Sequence, residues 1–155
     1  MFGKAIRGGG RSCNPKGLPV NPDASVMPEL FSDPSKSRRL RVLIVEDHTP
    51  TRMAMGKLMR QAGADVTTAR DGEEGLGYML TQRFDVLLTD LRMPKMDGFE
   101  LINHVHGLPD THRPTRIIAI SGEYEAGALH GQPVSFLAKP FNLDALLDMI
   151  GGKPN

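Results

Sequence analysis

From Leu40 onward, short runs of apolar residues alternate with segments in which apolar residues recur at helical spacing. Apart from the short run ADVTTA at 64–69, these runs are rich in Val, Ile and Leu, as is typical of strands that are buried on both faces of a parallel sheet. They lie at 40–45, 64–69, 84–90, 115–121 and 134–139. The pattern therefore predicts five strands.

Between these runs, apolar residues three and four positions apart form single faces of amphipathic helices. In chain order the predicted faces consist of Met55, Leu58, Met59 and Ala62; Leu76, Met79 and Leu80; Ile102 and Val105; and Leu143, Leu146, Leu147 and Ile150. Gly63 is placed to end the first helix, and Asp71 with Glu74 and Asp97 with Glu100 have capping-box spacing. Strands that alternate with helices predict an α/β fold, in which one doubly wound, five-stranded parallel sheet carries helices on both faces.

The segment between the fourth and fifth strands, EYEAGALHGQ at 123–132, is a weak helix former. Gly127 lies inside it and Gly131 lies near its end, and an interior Gly costs about 0.5–1 kcal/mol relative to Ala. Two helical turns are marginal even without glycine, because helix nucleation is costly. We therefore expect a short or frayed fourth helix with the lowest local stability in the body of the protein.

Residues 1–38 differ in composition from the rest of the chain. They contain five Pro, five Gly and five Ser, and residues 1–39 carry seven Lys/Arg against three Asp/Glu. Such a segment buries too little apolar surface to offset its ordering entropy. It is predicted to be a flexible basic arm, followed by one domain at 39–151 and a tail at 152–155. Alternatively, Lys4, Arg7, Arg11 and Lys16 could anchor an acidic partner, or the apolar cluster 27–31 could dock on the body.

Composition and motifs narrow the possible functions. A chain of 155 residues with 39% hydrophobic and 24% charged residues is typical of one soluble domain. No apolar run suits a membrane span or a signal peptide, so a cytoplasmic location is expected. The lone Cys13 excludes an internal disulfide, and the nucleotide-binding motifs GxxxxGK[ST] and GxGxxG are absent. Since Asn155 follows shortly after the last predicted helix, no DNA-binding domain is expected.

Polar residues follow or end four of the predicted strands. Glu46 and Asp47 come after the first strand, and Asp90, Ser121 and Lys139 end the third, fourth and fifth. Ligands of open α/β sheets bind at this carboxyl edge. Clustered carboxylates repel one another unless a cation neutralises them, and oxygen ligands favour Mg²⁺. The set predicts a Mg²⁺ site at which an Asp carboxylate attacks phosphorus, while Lys139 and Ser121 stabilise the phosphoryl oxygens.

Four motifs in this chain resemble those of response-regulator receiver domains, which have a flavodoxin-like fold. They are RVLIVEDH (41–48), DVLLTDLRMPKMDG (85–98), IIAISG (117–122) and FLAKPF (136–141), and the resemblance covers about residues 40–151. It implies that Asp90 is the phosphoacceptor and also a Mg²⁺ ligand, and that Asp47 binds Mg²⁺ directly. Glu46 would bind the ion largely through water, and the Arg92 backbone carbonyl would be a further ligand.

The resemblance also implies a switch, in which Ser121 and Lys139 sense the phosphoryl group and Phe136 changes rotamer. It further implies a cis bond at Lys139–Pro140 and access to the site beside the small Gly122. Alone, each of these residues has a plainer interpretation, such as a cap, a surface charge or a core aromatic. Their joint occurrence at the strand ends favours the receiver. His104 and His106 do not have i, i+4 spacing and are interpreted as surface residues.

The resemblance implies a receiver of a two-component or phosphorelay system, which is not an enzyme in its own right. It would take a phosphoryl group from a histidine kinase or a phosphotransfer protein and signal to a protein target. The sequence leaves open a phosphoryl shuttle or sink, and a receiver module of a hybrid histidine kinase. An Asp-nucleophile phosphohydrolase is a distant alternative, because such enzymes usually have an acid where this chain has Arg92.

Overall fold

The structure is a computed structural model that describes residues 38–122, 126–129 and 131–151. Its centre is a sheet of five parallel strands in the order β2-β1-β3-β4-β5. The strands are β1 (Arg41–Val45), β2 (Asp65–Ala69), β3 (Val86–Asp90), β4 (Arg116–Ser121) and β5 (Val134–Ala138). The strand order reverses between β1 and β3, and in such sheets ligands bind where the order reverses. The predicted α/β class and doubly wound sheet are confirmed.

Four α-helices cover the sheet: α1 (Thr49–Gln61), α2 (Gly72–Thr81), α3 (Gly98–His106) and α4 (Leu143–Gly151). A full capping box begins α3, since Asp97 accepts from the Glu100 N–H and the Glu100 side chain accepts from the Asp97 N–H. Asp71 caps α2 in the same way, but the Glu74 carboxylate accepts from the N–H of Arg70 rather than from that of Asp71. After α1, Gly63 has a φ of 95°, a conformation that ends helices.

The core consists of one apolar cluster on each face of the sheet. Alternate residues of β1 divide between them, with Val42 and Ile44 in the cluster beneath α1 and α4, and Leu43 and Val45 in the cluster beneath α2 and α3. Most residues of the predicted helix faces lie in or pack against these clusters, but Leu58 of α1 is only partly buried and belongs to neither cluster, and Leu80 of α2 is 58% exposed. The prediction for Leu80 was wrong, because Met79 and Gly75 face the sheet and turn Leu80 outward.

Between β4 and β5, the structure describes a single 3₁₀ turn at Ala126–Leu129 and no α-helix. The carbonyl of its last residue, Leu129, accepts a hydrogen bond of 3.1 Å from the N–H of Gln132, which lies two residues before β5. The prediction of a short fourth helix is confirmed. Residues 123–125 and 130 lie outside the described part of the chain, and the low local stability expected of this segment stays a prediction.

The predicted arm and tail lie almost wholly outside the described residues, as do the anchor residues proposed within the arm and the apolar cluster 27–31. Arg38 is described, and its guanidinium forms two hydrogen bonds of 2.7 and 3.2 Å with Asp85. The last residue assigned to the arm therefore contacts the body. Within the described ranges, no helix is long and apolar enough to cross a membrane.

The two histidines of α3 differ in their surroundings. His104 is exposed, as expected. His106 is only partly exposed, and its Nε2 is buried without a hydrogen-bond partner among the described residues. The interpretation of His106 as a plain surface residue was therefore wrong, since one edge of its ring faces the protein.

Candidate functional site

Three carboxylates meet at the carboxyl edge of the sheet. Val45 of β1 pairs with Thr89 of β3, so the residues that follow them, Glu46 and Asp90, lie at the same level on adjacent strands. Glu46, Asp47 and Asp90 each offer an oxygen, and the three oxygens lie within 4.8 Å of one another. Glu46 and Asp90 are buried, whereas Asp47 is exposed. The structure therefore brings together the three acidic side chains that the sequence predicted as metal ligands.

Lys139 places a positive charge between two of these acids. It follows β5, and its N–H continues the ladder with β4 by donating to the Ser121 carbonyl at 2.7 Å. Its Nζ lies 3.1 Å from Glu46 Oε2 and 3.2 Å from Asp90 Oδ2. One ammonium group thus bridges two carboxylates that stand on neighbouring strands.

The pKa directions follow from this arrangement. Burial raises the pKa of Glu46 above its ordinary value, and the charge of Asp90 raises it further, although the hydrogen bond from Lys139 opposes both effects. Burial alone would lower the pKa of Lys139, but its hydrogen bond to Glu46 and the charge of Asp90 outweigh that effect and raise it. Lys139 is therefore charged at neutral pH, while the site disfavours the ionised form of Glu46.

The three carboxylates fit a small divalent cation. Each Mg–O bond is about 2.1 Å, so two oxygens on one ion lie at most about 4.2 Å apart. The observed 4.8 Å limit is slightly wider, and a shift of less than about 1 Å or one bridging water closes the difference. The exposed Asp47 gives the ion access from solvent. Glu46, Asp47 and Asp90 are thus a suitable donor set for Mg²⁺.

The loop between β3 and α3 is folded tightly against Asp90. The Gly98 N–H donates to the Leu91 carbonyl at 3.0 Å, which closes the loop. A Cβ on Gly98 would lie 2.2 Å from the Asp90 carbonyl oxygen, so only glycine permits this approach. The Arg92 N–H donates to Asp90 Oδ1 at 3.2 Å. The predicted role of the Arg92 carbonyl as a metal ligand stays a prediction.

The predicted switch residues Ser121 and Phe136 lie on the adjacent strands β4 and β5. Ser121 is buried at the end of β4, and a Cβ on Gly122 would meet nothing within 4 Å. Phe136 of β5 is partly buried and packs on the cluster beneath α2 and α3. The Lys139–Pro140 bond is cis, as the resemblance implied. The structure brings Ser121 and Lys139 together through the backbone bond, and it does not test their sensing role.

Sequence reasoning missed the groups that hold the acid pair in place. The Arg52 guanidinium donates to the Glu46 carbonyl at 2.8 Å and to the Asp47 carbonyl at 3.3 Å. The His48 N–H donates to Glu46 Oε1 at 3.1 Å. Arg52 lies one turn into α1, and a cation at that position, shortly after an acid pair, is the signal that could have indicated it.

The fold and the site together define an α/β protein with an acidic, Mg²⁺-type centre at the switch point of its sheet. Residues 42–151 match the family model of the response regulator receiver domain. The chain therefore belongs to that family, in which Asp phosphorylation and Mg²⁺ binding are typical.

Individual relatives differ greatly in length. The chain is 30% identical over 116 residues to a probable chemotaxis protein CheY of Rhizobium etli, covering 72% of this chain and 90% of that protein. It is 39% identical over 85 residues to a gliding motility regulatory protein of Myxococcus xanthus, covering 55% of this chain and 11% of that protein. The chain thus spans most of one relative and about a tenth of the other.

Two solved structures show the same fold at moderate identity. Chemotaxis protein CheY4 of Vibrio cholerae matches with a TM-score of 0.65 and 32% identity, covering 72% of this chain and 95% of that one. The receiver domain of sensor histidine kinase PA1611 of Pseudomonas aeruginosa matches with a TM-score of 0.64 and 27% identity, covering 74% and 98%. That structure has a magnesium ion coordinated in its active-site cleft.

Proposed function

We propose that this chain is a phosphoacceptor receiver that takes a phosphoryl group onto Asp90 in a Mg²⁺-dependent reaction. The donor is a histidine kinase or a histidine phosphotransfer protein, and the signal passes on by protein–protein contact. The observation that carries the proposal is the convergence of Glu46, Asp47 and Asp90 within 4.8 Å, with Lys139 bridging two of them. The magnesium ion in the PA1611 receiver supports the choice of metal.

Each residue then has a defined task. A carboxylate oxygen of Asp90 forms the new bond to phosphorus as the P–N bond to the donor imidazole breaks, and the departing nitrogen takes up a proton. Glu46, Asp47 and Asp90 would hold the Mg²⁺, whose charge would neutralise the transferring phosphoryl oxygens. The Lys139 ammonium moves from the carboxylates to a phosphoryl oxygen, and the Ser121 hydroxyl donates to another. The chain turns over only its own phosphoryl group, so the proposal does not make it an enzyme for other substrates.

The Ser121–Lys139 pair also connects the chemistry to a partner surface. Ser121 ends β4, and the Gly122 that follows it is exposed and leads into the weak segment before β5. If Ser121 shifts toward the phosphoryl group, residues 122–133 reorder and Phe136 changes its packing. A downstream protein would read this change, in keeping with a cytoplasmic signalling role.

Two alternatives within signalling share the same chemistry. The chain could be a phosphoryl shuttle or sink, or a receiver module of a hybrid histidine kinase, and the PA1611 receiver comes from a sensor histidine kinase. The lifetime of the phosphorylated form distinguishes a shuttle or sink from a receiver that signals to a target, since a shuttle or sink returns or loses the phosphoryl group quickly. A phosphohydrolase would instead release phosphate from phosphomonoesters over many turnovers.

The experiment is incubation with Mg²⁺ and a small phosphodonor, followed by intact-mass measurement. We expect a mass increase of one phosphoryl group in the wild type and none in Asp90→Asn, which lacks the nucleophilic oxygen at similar volume. EDTA or Asp47→Ala should also abolish labelling, while an unchanged far-UV circular-dichroism spectrum shows that the fold is intact. Asp148→Asn on the exposed side of α4 is the matched control. Undiminished labelling of Asp90→Asn would disprove the proposal.

A further inference from the structure

The loop that carries Arg92, residues 91–97 between β3 and α3, has an attachment outside the metal site. At its base it is fixed by the Leu91 N–H, which donates to the Ile120 carbonyl at 3.1 Å, and by the Gly98 N–H bond to Leu91. Leu91 and Met93 are buried. The middle of the loop is held by Lys95, whose Nζ lies 3.1 Å from Asp71 Oδ2 at the start of α2.

The backbone of Lys95 has an unusual conformation. Its φ is 67°, and it is the one non-glycine residue with positive φ in the part of the chain that the structure describes. This conformation is strained for a residue with a Cβ, and such strain persists where surrounding contacts hold it. The ion pair with Asp71 is a contact that holds it.

Asp71 is well suited as the fixed end of this contact. Its side chain is only 7% exposed, and Oδ1 accepts from the Glu74 N–H at 2.8 Å while Oδ2 accepts from Lys95. The Glu74 N–H, together with Lys95 and against the effect of burial, holds the pKa of Asp71 below its usual value. The carboxylate is therefore ionised and oriented by α2 itself.

The loop and α2 also touch directly. A Cβ on Gly72, the first residue of α2, would lie 2.6 Å from the Met96 carbonyl oxygen. The first turn of α2 and the loop are thus in van der Waals contact next to the Lys95 ion pair. Lys95 lies only three residues after Arg92, so a shift of Lys95 relative to Asp71 would displace the backbone near Arg92.

We propose that Lys95 is a positioning residue for the metal site, which sets the place of the Arg92 carbonyl by tying the β3–α3 loop to Asp71. This inference rests on the proposed function, because it assumes that Mg²⁺ binds Glu46, Asp47 and Asp90 with help from that carbonyl. Groups that orient a ligand from outside the metal site commonly change metal affinity by about tenfold or more. Loss of the ion pair therefore weakens Mg²⁺ binding and leaves the chemical step itself intact.

The test is a Mg²⁺ titration followed by two-dimensional ¹⁵N NMR, with no phosphodonor present. We expect Lys95→Met to weaken Mg²⁺ binding about tenfold and Lys95→Arg to restore it in large part. Asp71→Asn keeps an N-cap oxygen but loses the charge, so it should weaken Mg²⁺ binding to a similar degree. The double variant Lys95→Met, Asp71→Asn should be no weaker than either single variant, since both remove one interaction.

Lys95→Gly separates positioning from fold stability. Glycine adopts a φ of 67° without strain, so this variant should unfold at the same temperature as the wild type or higher, yet bind Mg²⁺ more weakly. Lys57→Met, at an exposed position on α1, controls for the loss of one positive charge. Wild-type affinity in Lys95→Met and Lys95→Gly would overturn the positioning role alone. Failure of the wild type to bind Mg²⁺ would overturn both this role and the proposed function.

Discussion

Removal of Lys139 is the perturbation that most directly tests how the acidic cluster is stabilised. Lys139→Met deletes the ammonium group that lies 3.1 Å from Glu46 and 3.2 Å from Asp90, and it keeps much of the side-chain volume. The Glu46 side chain is 1% exposed and that of Asp90 is 10% exposed, so the two acids are left in a site with little solvent screening.

The expected loss of stability can be bounded from these distances. At an effective dielectric constant of about 20, one ion pair at 3.1 Å has a Coulomb energy of about 5 kcal/mol. Most of that energy is offset by the cost of desolvating the ammonium, and removal of one partner of a buried pair costs about 3–5 kcal/mol. Since the Lys139 side chain is 29% exposed, we expect a smaller loss of about 2–3 kcal/mol. For a domain of this size, such a loss lowers Tm by roughly 8–12 °C.

Mg²⁺ should reverse most of this loss. In the wild type the ammonium and the metal both neutralise the same carboxylates, so the metal adds less than it would alone. In Lys139→Met the carboxylates lack that charge, so Mg²⁺ should bind more tightly than in the wild type, and a Kd about a hundred times lower narrows the gap at saturating Mg²⁺ by about 2.7 kcal/mol. The contribution of the Lys139 ion pairs to the free energy of unfolding also depends on pH. Because the folded-state pKa of Lys139 is raised above its usual value of 10.5, the contribution is complete at neutral pH and is lost only as the pH rises through that folded-state pKa.

The assay is denaturant unfolding of wild type, Lys139→Met and the exposed-site control Lys57→Met, each in EDTA and in saturating Mg²⁺. We expect the gap between wild type and Lys139→Met to be wide in EDTA and narrow in Mg²⁺, while Lys57→Met follows the wild type in both. An equal gap in the two conditions would show that Lys139 and the metal do not neutralise the same charges. That result would refute the assignment of the acidic cluster as a metal site.

Three further outcomes are expected. Gly98→Ala should lower the free energy of unfolding by about 2–3 kcal/mol, because the new Cβ would lie 2.2 Å from the Asp90 carbonyl oxygen. Gly77→Ala, whose Cβ would meet nothing within 4 Å, should raise it by about 0.5–1 kcal/mol. Equal effects of the two substitutions in thermal unfolding would contradict the loop geometry. Because the pKa of Asp71 is lowered in the folded protein, the ionised carboxylate stabilises the fold at pH values above its unfolded pKa of about 3.8. The loss of stability in Asp71→Asn should therefore be present at neutral pH and vanish as the pH falls through the folded-state pKa. A loss of stability that is independent of pH would contradict this role of the Asp71 charge. Deletion of residues 1–37 should change Tm little, since a Pro- and Gly-rich basic segment buries little surface, and a large drop would show that the segment packs on the body.

The sequence was sufficient to predict which residues share the carboxyl edge of the sheet. Continuous apolar runs identify buried parallel strands, and residues that follow such strands must emerge at one edge, which is why Glu46, Asp90, Ser121 and Lys139 could be grouped. Strand adjacency does not follow from the same pattern. Both faces of β1 are buried, so no alternation indicates that Val45 pairs with Thr89 and thereby brings Glu46 level with Asp90.

Contacts that depend on loop geometry could not be predicted. Nothing in the spacing of Asp71 and Lys95, 24 residues apart, indicates that they meet, because the contact requires both the left-handed backbone of Lys95 and the close approach of Gly72 to Met96. The prediction that Leu80 is buried was wrong for a related reason. Helical periodicity defines an apolar stripe, but the close approach of α2 to β1 at Gly75 determines which part of that stripe faces the sheet, and Leu80 lies outside that part.

Strand adjacency and loop contacts, the two features that the sequence did not predict, both determine the geometry of the proposed metal site. The acids of the site are fixed by the sheet, whose register holds Glu46 and Asp90 level, whereas the Arg92 carbonyl belongs to a loop whose middle is held by the Lys95–Asp71 ion pair. With the Arg92 carbonyl as the proposed further ligand, the affinity for metal can change without any change in the acidic ligands. Substitutions around Lys95 should therefore alter Mg²⁺ affinity, while substitutions in β1 or β3 should alter the fold, and the two effects are separable by measuring affinity and unfolding on the same variants.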